Sequence, residues 1–167
     1  MSEDLTLGSV RGQVDDDAIV INIELTNSSD RTLHAYRDAR RVLYDPATGI
    51  LRVGLTDRGS DATGNASSFV LPDLTSVDPH GSTTIEVRLP RVLTQIGGVT
   101  AQGAPVIERV PIDEATEVAV DVGWSDTPFY ADARPSRPEA AHPAAQLRAW
   151  ERGLATGRAP LTRPAAG

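Results

Sequence analysis

The sequence predicts an all-β chain: a small antiparallel β-sandwich over residues 1–130, followed by an extended Pro/Ala/Arg-rich tail over residues 131–167. Three stretches carry that prediction. Ile19, Ile21, Ile23 and Leu25 alternate with Val20, Asn22, Glu24 and Thr26, and the run stops at Asn27-Ser28-Ser29-Asp30. Asp78-Pro79-His80-Gly81-Ser82 turns the chain into Thr83, Ile85, Val87 and Leu89, and Pro90 ends that run. Val118, Val120, Val122 and Trp124 repeat the same period of two. Alternation bounded by turn residues marks strands with one face in a core.

The other elements follow in order. Leu5 to Val14 reads as a first strand whose broken phase places a bulge near Gly8. Asp15-Asp16-Asp17 is a solvated hairpin loop; it lacks the spaced ligands of a calcium loop. Thr32–Tyr36 and Arg41–Tyr44 are strands, with a bulge, a bend or a short helical turn at Arg37–Arg40. In Asp45-Pro46-Ala47-Thr48-Gly49, Asp opens the turn, Pro fixes φ and Gly supplies φ > 0, so Arg41–Tyr44 and Ile50–Leu55 form a hairpin. Thr56 to Ser68 is a polar surface loop, and Phe69–Leu71 is a short strand closed by Pro72. Arg91–Ile96 is a short helix or a strand ended by Gly97-Gly98. Thr100–Pro105 is a loop, Val106–Ile112 a further short segment, and Thr116–Trp124 the last strand.

From Thr127 onward six prolines disfavour sheet and long helix. One island, 144–155, carries Leu147, Trp150 and Leu154 on a single helical face, with Pro143 before it and Gly157 after it. A helix that short does not persist alone in water. The apolar stripe is therefore expected to dock, on its own sandwich or on a partner.

Composition narrows the function classes. The 167 residues contain no cysteine, which removes thiol catalysis, zinc–thiolate sites and disulfides. Every cationic residue is Arg, the codon signature of a GC-rich bacterial genome. Residues 1–132 hold 10 Arg against 21 acids and residues 133–167 hold 6 Arg against 2, so an acidic body precedes a basic tail. An acidic body disfavours nucleic acid and anionic membrane as partners. The acidic start, Met1-Ser2-Glu3-Asp4, has neither the cationic nor the apolar part of a signal peptide, and the expected location is the cytoplasm.

The candidate sites divide into weak chemistry and possible contacts. His34, His80 and His142 have no metal-ligand spacing, so no metal and no cofactor is expected. No Gly-x-Ser-x-Gly elbow occurs, and Gly97-Gly98 lacks the Lys-Ser or Lys-Thr of a phosphate loop. Glu24, Asp38, Glu86 and Asp121 are carboxylates that could act as acid and base only if they met; Glu24, Glu86 and Asp121 occupy outward phases. The Asn-x-Ser triplets at Asn27 and Asn65 matter only in a secreted eukaryotic protein. Arg37, Arg40 and Arg41, flanked by Tyr36 and Tyr44, either pair with neighbouring acids such as Asp38 and Asp45 or contact an anion or acidic peptide. The partner-binding candidates are thus Arg37, Arg40, Arg41, Leu147, Trp150 and Leu154.

The turn order over Val20–Pro90 resembles bacterial immunoglobulin-like domains of the CARDB and BsuPI-like (intracellular proteinase inhibitor) type. The resemblance rests on Asn27-Ser28-Ser29-Asp30, the Tyr-Asp-Pro-x-Thr-Gly hairpin at 44–49 and the Pro-x-Gly-Ser at 79–82 leading into Ile85-Glu86-Val87. It implies immunoglobulin-like topology and a non-catalytic interaction module, and it transfers no site residue. The expected function is a non-enzymatic protein–protein interaction or structural module, a small component of a larger assembly, contacting a protein partner or itself through the tail. The alternatives are an intracellular protease inhibitor presenting Thr56–Ser68 or Gly97–Pro105, and a small hydrolase or isomerase using surface carboxylates.

Overall fold

The first two strands set the frame. In a computed structural model, which describes residues 4–57, 72–130 and 143–163, β1 (Leu5–Val14) and β2 (Ala18–Asn27) form an antiparallel hairpin. Their register shifts between Leu7 and Ser9, the bulge expected at Gly8. The bulge makes room for a neighbour, because a Cβ on Gly8 would lie 2.4 Å from a Glu24 carboxylate oxygen. The third strand, β3 (Leu33–Tyr36), precedes the expected hairpin of β4 (Arg41–Asp45) and β5 (Ile50–Leu55). β6 (Leu74–Val77), not foreseen from the sequence, pairs with β3, and β7 (Ser82–Pro90) pairs with β2 over its whole length. β8 (Val92–Val99) and β9 (Pro105–Pro111) form a separate two-stranded ribbon. β10 (Glu117–Ser125), helix α1 (Pro143–Trp150) and β11 (Gly153–Thr162) complete the chain.

The all-β prediction holds, with helix only 5% of the structure. The main sheet runs β4-β5-β10-β11-β1-β2-β7, with β3 joined to the end of β10 and β6 joined to β3. Its inward faces supply the core: Ile19, Ile21, Ile23 and Leu25 from β2, Leu51, Val53 and Leu55 from β5, Ile85, Val87 and Leu89 from β7, and Val118, Val120 and Val122 from β10.

Two expectations need correction. The sheet is mixed, not antiparallel, because β5 runs parallel to β10 and β11 runs parallel to β1. Residues 143–163 are not an extended tail. The helix expected over 144–155 stops at Trp150, and Leu154 lies on β11, which is inserted between β10 and β1. A boundary at residue 130 therefore does not separate the sheet from a tail. The strand expected at Phe69–Leu71, the loop beyond Asp57, Asn65, and the segment 131–142 with His142 lie outside the described residues.

Small residues explain how β11 fits. Its inward positions are Gly153, Ala155, Gly157, Ala159 and Leu161. A Cβ on Gly153 would meet the Trp124 ring at 2.5 Å, and one on Gly157 would meet Leu7 and Val10 at 2.9 Å. Neighbouring strands supply the bulk, so β11 must not. Pro160 is tolerated for a geometric reason. Leu161 donates its N–H to the Thr116 carbonyl at 2.9 Å, so an N–H at position 160 would point away from β10. It would face β1, whose pairing begins only at Gly12 opposite Leu161.

One buried side chain ties the turns together. Asn27, 1% exposed, donates its amide Nδ2 to the carbonyls of Arg31 at 2.6 Å, Val77 at 3.0 Å and Asp78 at 3.1 Å. Its Oδ1 accepts from the Ser29 N–H at 2.9 Å and the Ser29 hydroxyl at 2.7 Å. His80, in the facing turn, takes a positive φ of 55° and donates its N–H to the Ser29 carbonyl at 3.2 Å.

Two outcomes follow from this architecture. Asn27→Asp replaces the donor by an oxygen facing three carbonyls, and leaving such groups unmatched costs about 2–3 kcal/mol in urea unfolding. Truncation after Arg152 removes β11 and leaves two buried strand edges, so the cooperative unfolding transition should be lost; a truncated chain melting like the parent would show that β11 is dispensable.

Candidate interaction site

Two places concentrate what the sequence offers for contacts. The first lies where β3, β5, β10 and α1 meet. Tyr36 ends β3 fully buried, and its hydroxyl donates to Asp57 at 3.1 Å, just beyond β5. Arg40 directs its Nε at Asp57 Oδ1, 3.4 Å away, and Nη1 at Asp38 Oδ2, 3.6 Å away. The Tyr36 ring packs on Trp150 at 5.9 Å, and Trp150 meets Phe129 edge-on at 5.9 Å. The Trp150 indole N–H donates to the Thr127 carbonyl at 2.6 Å. Glu151 follows α1, is buried, and accepts from the Thr56 hydroxyl. It passes over β10 at Gly123, where a Cβ would sit 1.9 Å from its carboxylate oxygen, so only glycine fits.

Electrostatics keep this cluster in one protonation pattern. Burial, then the negative fields of Asp57 and Glu151, push the Tyr36 phenol far above its ordinary range, so it stays a neutral donor to Asp57. Burial raises the Asp38 carboxyl above its usual value, against the pull of Arg40. The polar groups pair with one another: tyrosine with aspartate, arginine with two aspartates, threonine with glutamate. Such a network rigidifies the packing of α1.

The predicted contact residues separate here. Arg40 and Trp150 belong to this cluster, and Leu147, on α1, is fully buried in the chain's own core. Arg40 pairs with Asp38, as the simpler alternative held, and with Asp57, which the sequence reading did not single out; Asp45 instead caps its own turn through Ala47 and Thr48. Arg37 and Arg41 are exposed on either side. Leu154 lies on β11 opposite Gly123, off the helix that would have aligned it with Leu147 and Trp150. Glu24 and Glu86 are diagonal neighbours across β2 and β7, while Asp121 lies on β10, beyond β1 and β11, and Asp38 lies between β3 and β4. The four carboxylates do not form one site. His34 contacts Ser76 and His80 contacts Asp30, and among the described residues no group of three or more His, Asp or Glu could hold a metal.

The second place is the β8–β9 ribbon. Its base is fixed: Leu93, Ile112 and Ala115 are buried, Arg91 donates Nε to Asp113 at 2.7 Å, and Arg91 Nη1 reaches the Asp16 carbonyl at 3.0 Å. Among the described residues, the ribbon's two strands pair with each other alone. All residues from Thr100 to Arg109 are exposed. Val99 and Ile107 are 71% and 67% exposed. The tip is an ordered turn in which Thr100 donates to the Ala104 carbonyl at 2.8 Å and Gly103 takes a φ of 82°. Residues 92–107 carry no charged side chain. Toward its tip the ribbon is exposed, uncharged and open at both edges, the features that make it a candidate contact surface. Two signals were present in the sequence, the absence of charge and Val-Ile after Pro105; the glycines at 97, 98 and 103 obscured them by suggesting a loop.

Neither a protein-family model nor a curated protein matches this chain.

The role of the first cluster can be tested directly. Trp150→Ala removes the ring that holds α1 on Tyr36 and Phe129, and truncating a partly buried Trp costs about 2–4 kcal/mol. Trypsin should then cut after Arg148 much faster than in the parent, while Trp150→Phe recovers most of the protection. Equal cleavage in all three would mean that the ring does not secure the helix.

Proposed function

We propose that this chain is a non-enzymatic interaction or structural module, a small component of a larger assembly. The observation that carries the reading is the β8–β9 ribbon, held at its base and exposed and uncharged toward its tip. The clustered polar groups around Tyr36 bond to one another, which suits a scaffold. The contact is placed on the ribbon because Leu147 and Trp150 are already packed within the chain.

The immunoglobulin-like arrangement and the kinship to CARDB and BsuPI-like domains belong to this proposal. Support comes from the turns at Asn27–Asp30, Asp45–Gly49 and Asp78–Gly81, each of which lies at strand ends. A second reading, protease inhibition, draws on the same ribbon, since the candidate loop Gly97–Pro105 forms its tip.

Immobilised full-length chain, exposed to native lysate, should retain a defined set of proteins. Ile107→Lys and Val99→Lys, both at exposed positions, should each reduce that retention more than tenfold, while Glu86→Lys on the outer face of β7 leaves it unchanged. Equal retention by the parent and both ribbon variants would overturn the reading. Stoichiometric inhibition of a serine protease, lost when the tip is altered, would select the inhibitor alternative.

A further inference from the structure

Register and alternation sort the ribbon's side chains into two faces. Val92 lies opposite Pro111, Thr94 opposite Arg109, and, beyond the bulge between Ile96 and Gly98, Val99 lies opposite Pro105. Strand alternation adds Ile107 to the face that holds Pro105 and Arg109. One face therefore presents Val92, Val99, Pro105 and Ile107 to solvent. Leu93 and Val110 lie on the other face and pack into the core at the base. The apolar stripe thus points away from the body that anchors the ribbon.

Charge then selects the occupant. The chain has a net charge of −7, so a partner of opposite sign gains most by touching the acidic body and has no use for an uncharged arm. A partner of the same sign meets repulsion over the body and none over residues 92–107. Eight strand residues extend about 26 Å, several times the Debye length of about 8 Å at physiological salt. Two bodies joined through their ribbon tips are largely screened from each other. Thr94 and Arg109 are the polar members of this face, and its one charged member, Arg109, lies toward the base. Two ribbons related by a two-fold axis near Ile107 and running antiparallel place each Arg109 beside the other copy's uncharged tip.

We propose that the β8–β9 ribbon is a dimerisation arm, and that its apolar face packs on the same face of a second copy of this chain. The inference rests on the reading of the ribbon as the contact surface and goes beyond it by naming the partner. Two faces of about 26 by 10 Å bury about 500 Å² in total, well below the roughly 1,200 Å² of stable specific interfaces, so the dimer is weak, transient and concentration-dependent.

The test uses the full chain. In sedimentation equilibrium from about 5 to about 500 µM, a span that reaches weak dissociation constants, the weight-average mass should rise from 17.7 kDa toward twice that value. Added salt should leave the association unchanged or strengthen it, since the contact is apolar and the bodies repel. Ile107→Lys should stay at the monomer mass with an unchanged melting temperature. The chain has no cysteine, so Ile107→Cys should give a single disulfide-linked dimer under mild oxidation. A parent that stays monomeric throughout, with Ile107→Cys uncrosslinked, overturns the proposal; so does an Ile107→Lys variant that dimerises like the parent. If the parent is monomeric yet lysate proteins are still lost from Ile107→Lys, the second copy is wrong and the ribbon remains the contact surface. If that retention is unchanged as well, both readings fail.

Discussion

The structure depends on one slot. β10 and β1 lie too far apart to pair with each other, and β11 fills the space between them with ten residues from the end of the chain. It pairs antiparallel to β10 from Trp124 opposite Gly153 to Glu117 opposite Pro160, and parallel to β1 at Gly12 and Gln13. Without it, two strands in the middle of the sheet would present unpaired N–H and C=O groups to a core that cannot hydrogen-bond them, a cost of a few kcal/mol per buried group. Polar contacts secure the insertion at both ends. Arg163 donates to the Ala115 carbonyl at 2.7 Å, Arg158 pairs with Glu117 at 2.9 Å, and Arg152 donates its backbone N–H to the Trp124 carbonyl at 2.8 Å. The basic end of the chain thus meets acidic and carbonyl partners, the local form of the charge split along the sequence.

The same slot shows where sequence reasoning reaches and where it stops. Strands that carry their own bulk, such as Ile19–Leu25, Thr83–Leu89 and Val118–Trp124, announce themselves by alternation. β11 alternates as well, but with Gly, Ala, Gly and Ala inward, because Trp124, Leu7 and Val10 fill the volume above it. A strand whose packing is supplied by its neighbours has no hydrophobic signature of its own. Leu147, Trp150 and Leu154 stand at helical spacing, yet the chain leaves the helix after Trp150, because Glu151 must turn inward to the Thr56 hydroxyl. That interaction joins residues 95 positions apart, and no local pattern encodes it. Of the partner-binding candidates, Arg40 and Trp150 are joined through Tyr36 and Asp57, Trp150 packing on Tyr36 and Arg40 pairing with Asp57, a fact of topology.

Parallel pairing was hidden by a related effect. β5 and β10 look like members of separate hairpins, and each has an antiparallel neighbour: β4 for β5, and β11 for β10. Their mutual parallel register is set by the small turn around Gly49, whose carbonyl accepts the Thr116 N–H at 2.9 Å. A Cβ there would meet the Thr116 hydroxyl at 2.8 Å, and φ is 74°, so glycine satisfies both the turn and the approach of β10. One residue thereby closes the β4–β5 hairpin and sets the start of the central strand.

Against that tightly bonded body the ribbon is a deliberate contrast in material. Elsewhere the exposed positions of strands are mostly charged or polar, as with Arg11, Asn22, Glu86 and Arg158, which keeps strand surfaces soluble. The ribbon abandons that rule over residues 92–107 while keeping an ordered tip and an anchored base. Its own fold does not need the apolar side chains, since Val99 and Ile107 bury little within the chain. Exposed apolar area of this kind costs solubility and returns no stability to the monomer. A chain of net charge −7 is otherwise protected against self-association. On the proposed reading, the absence of charge on this one element confines association to it: the acidic body disfavours contact in general, and the neutral arm permits it in one place.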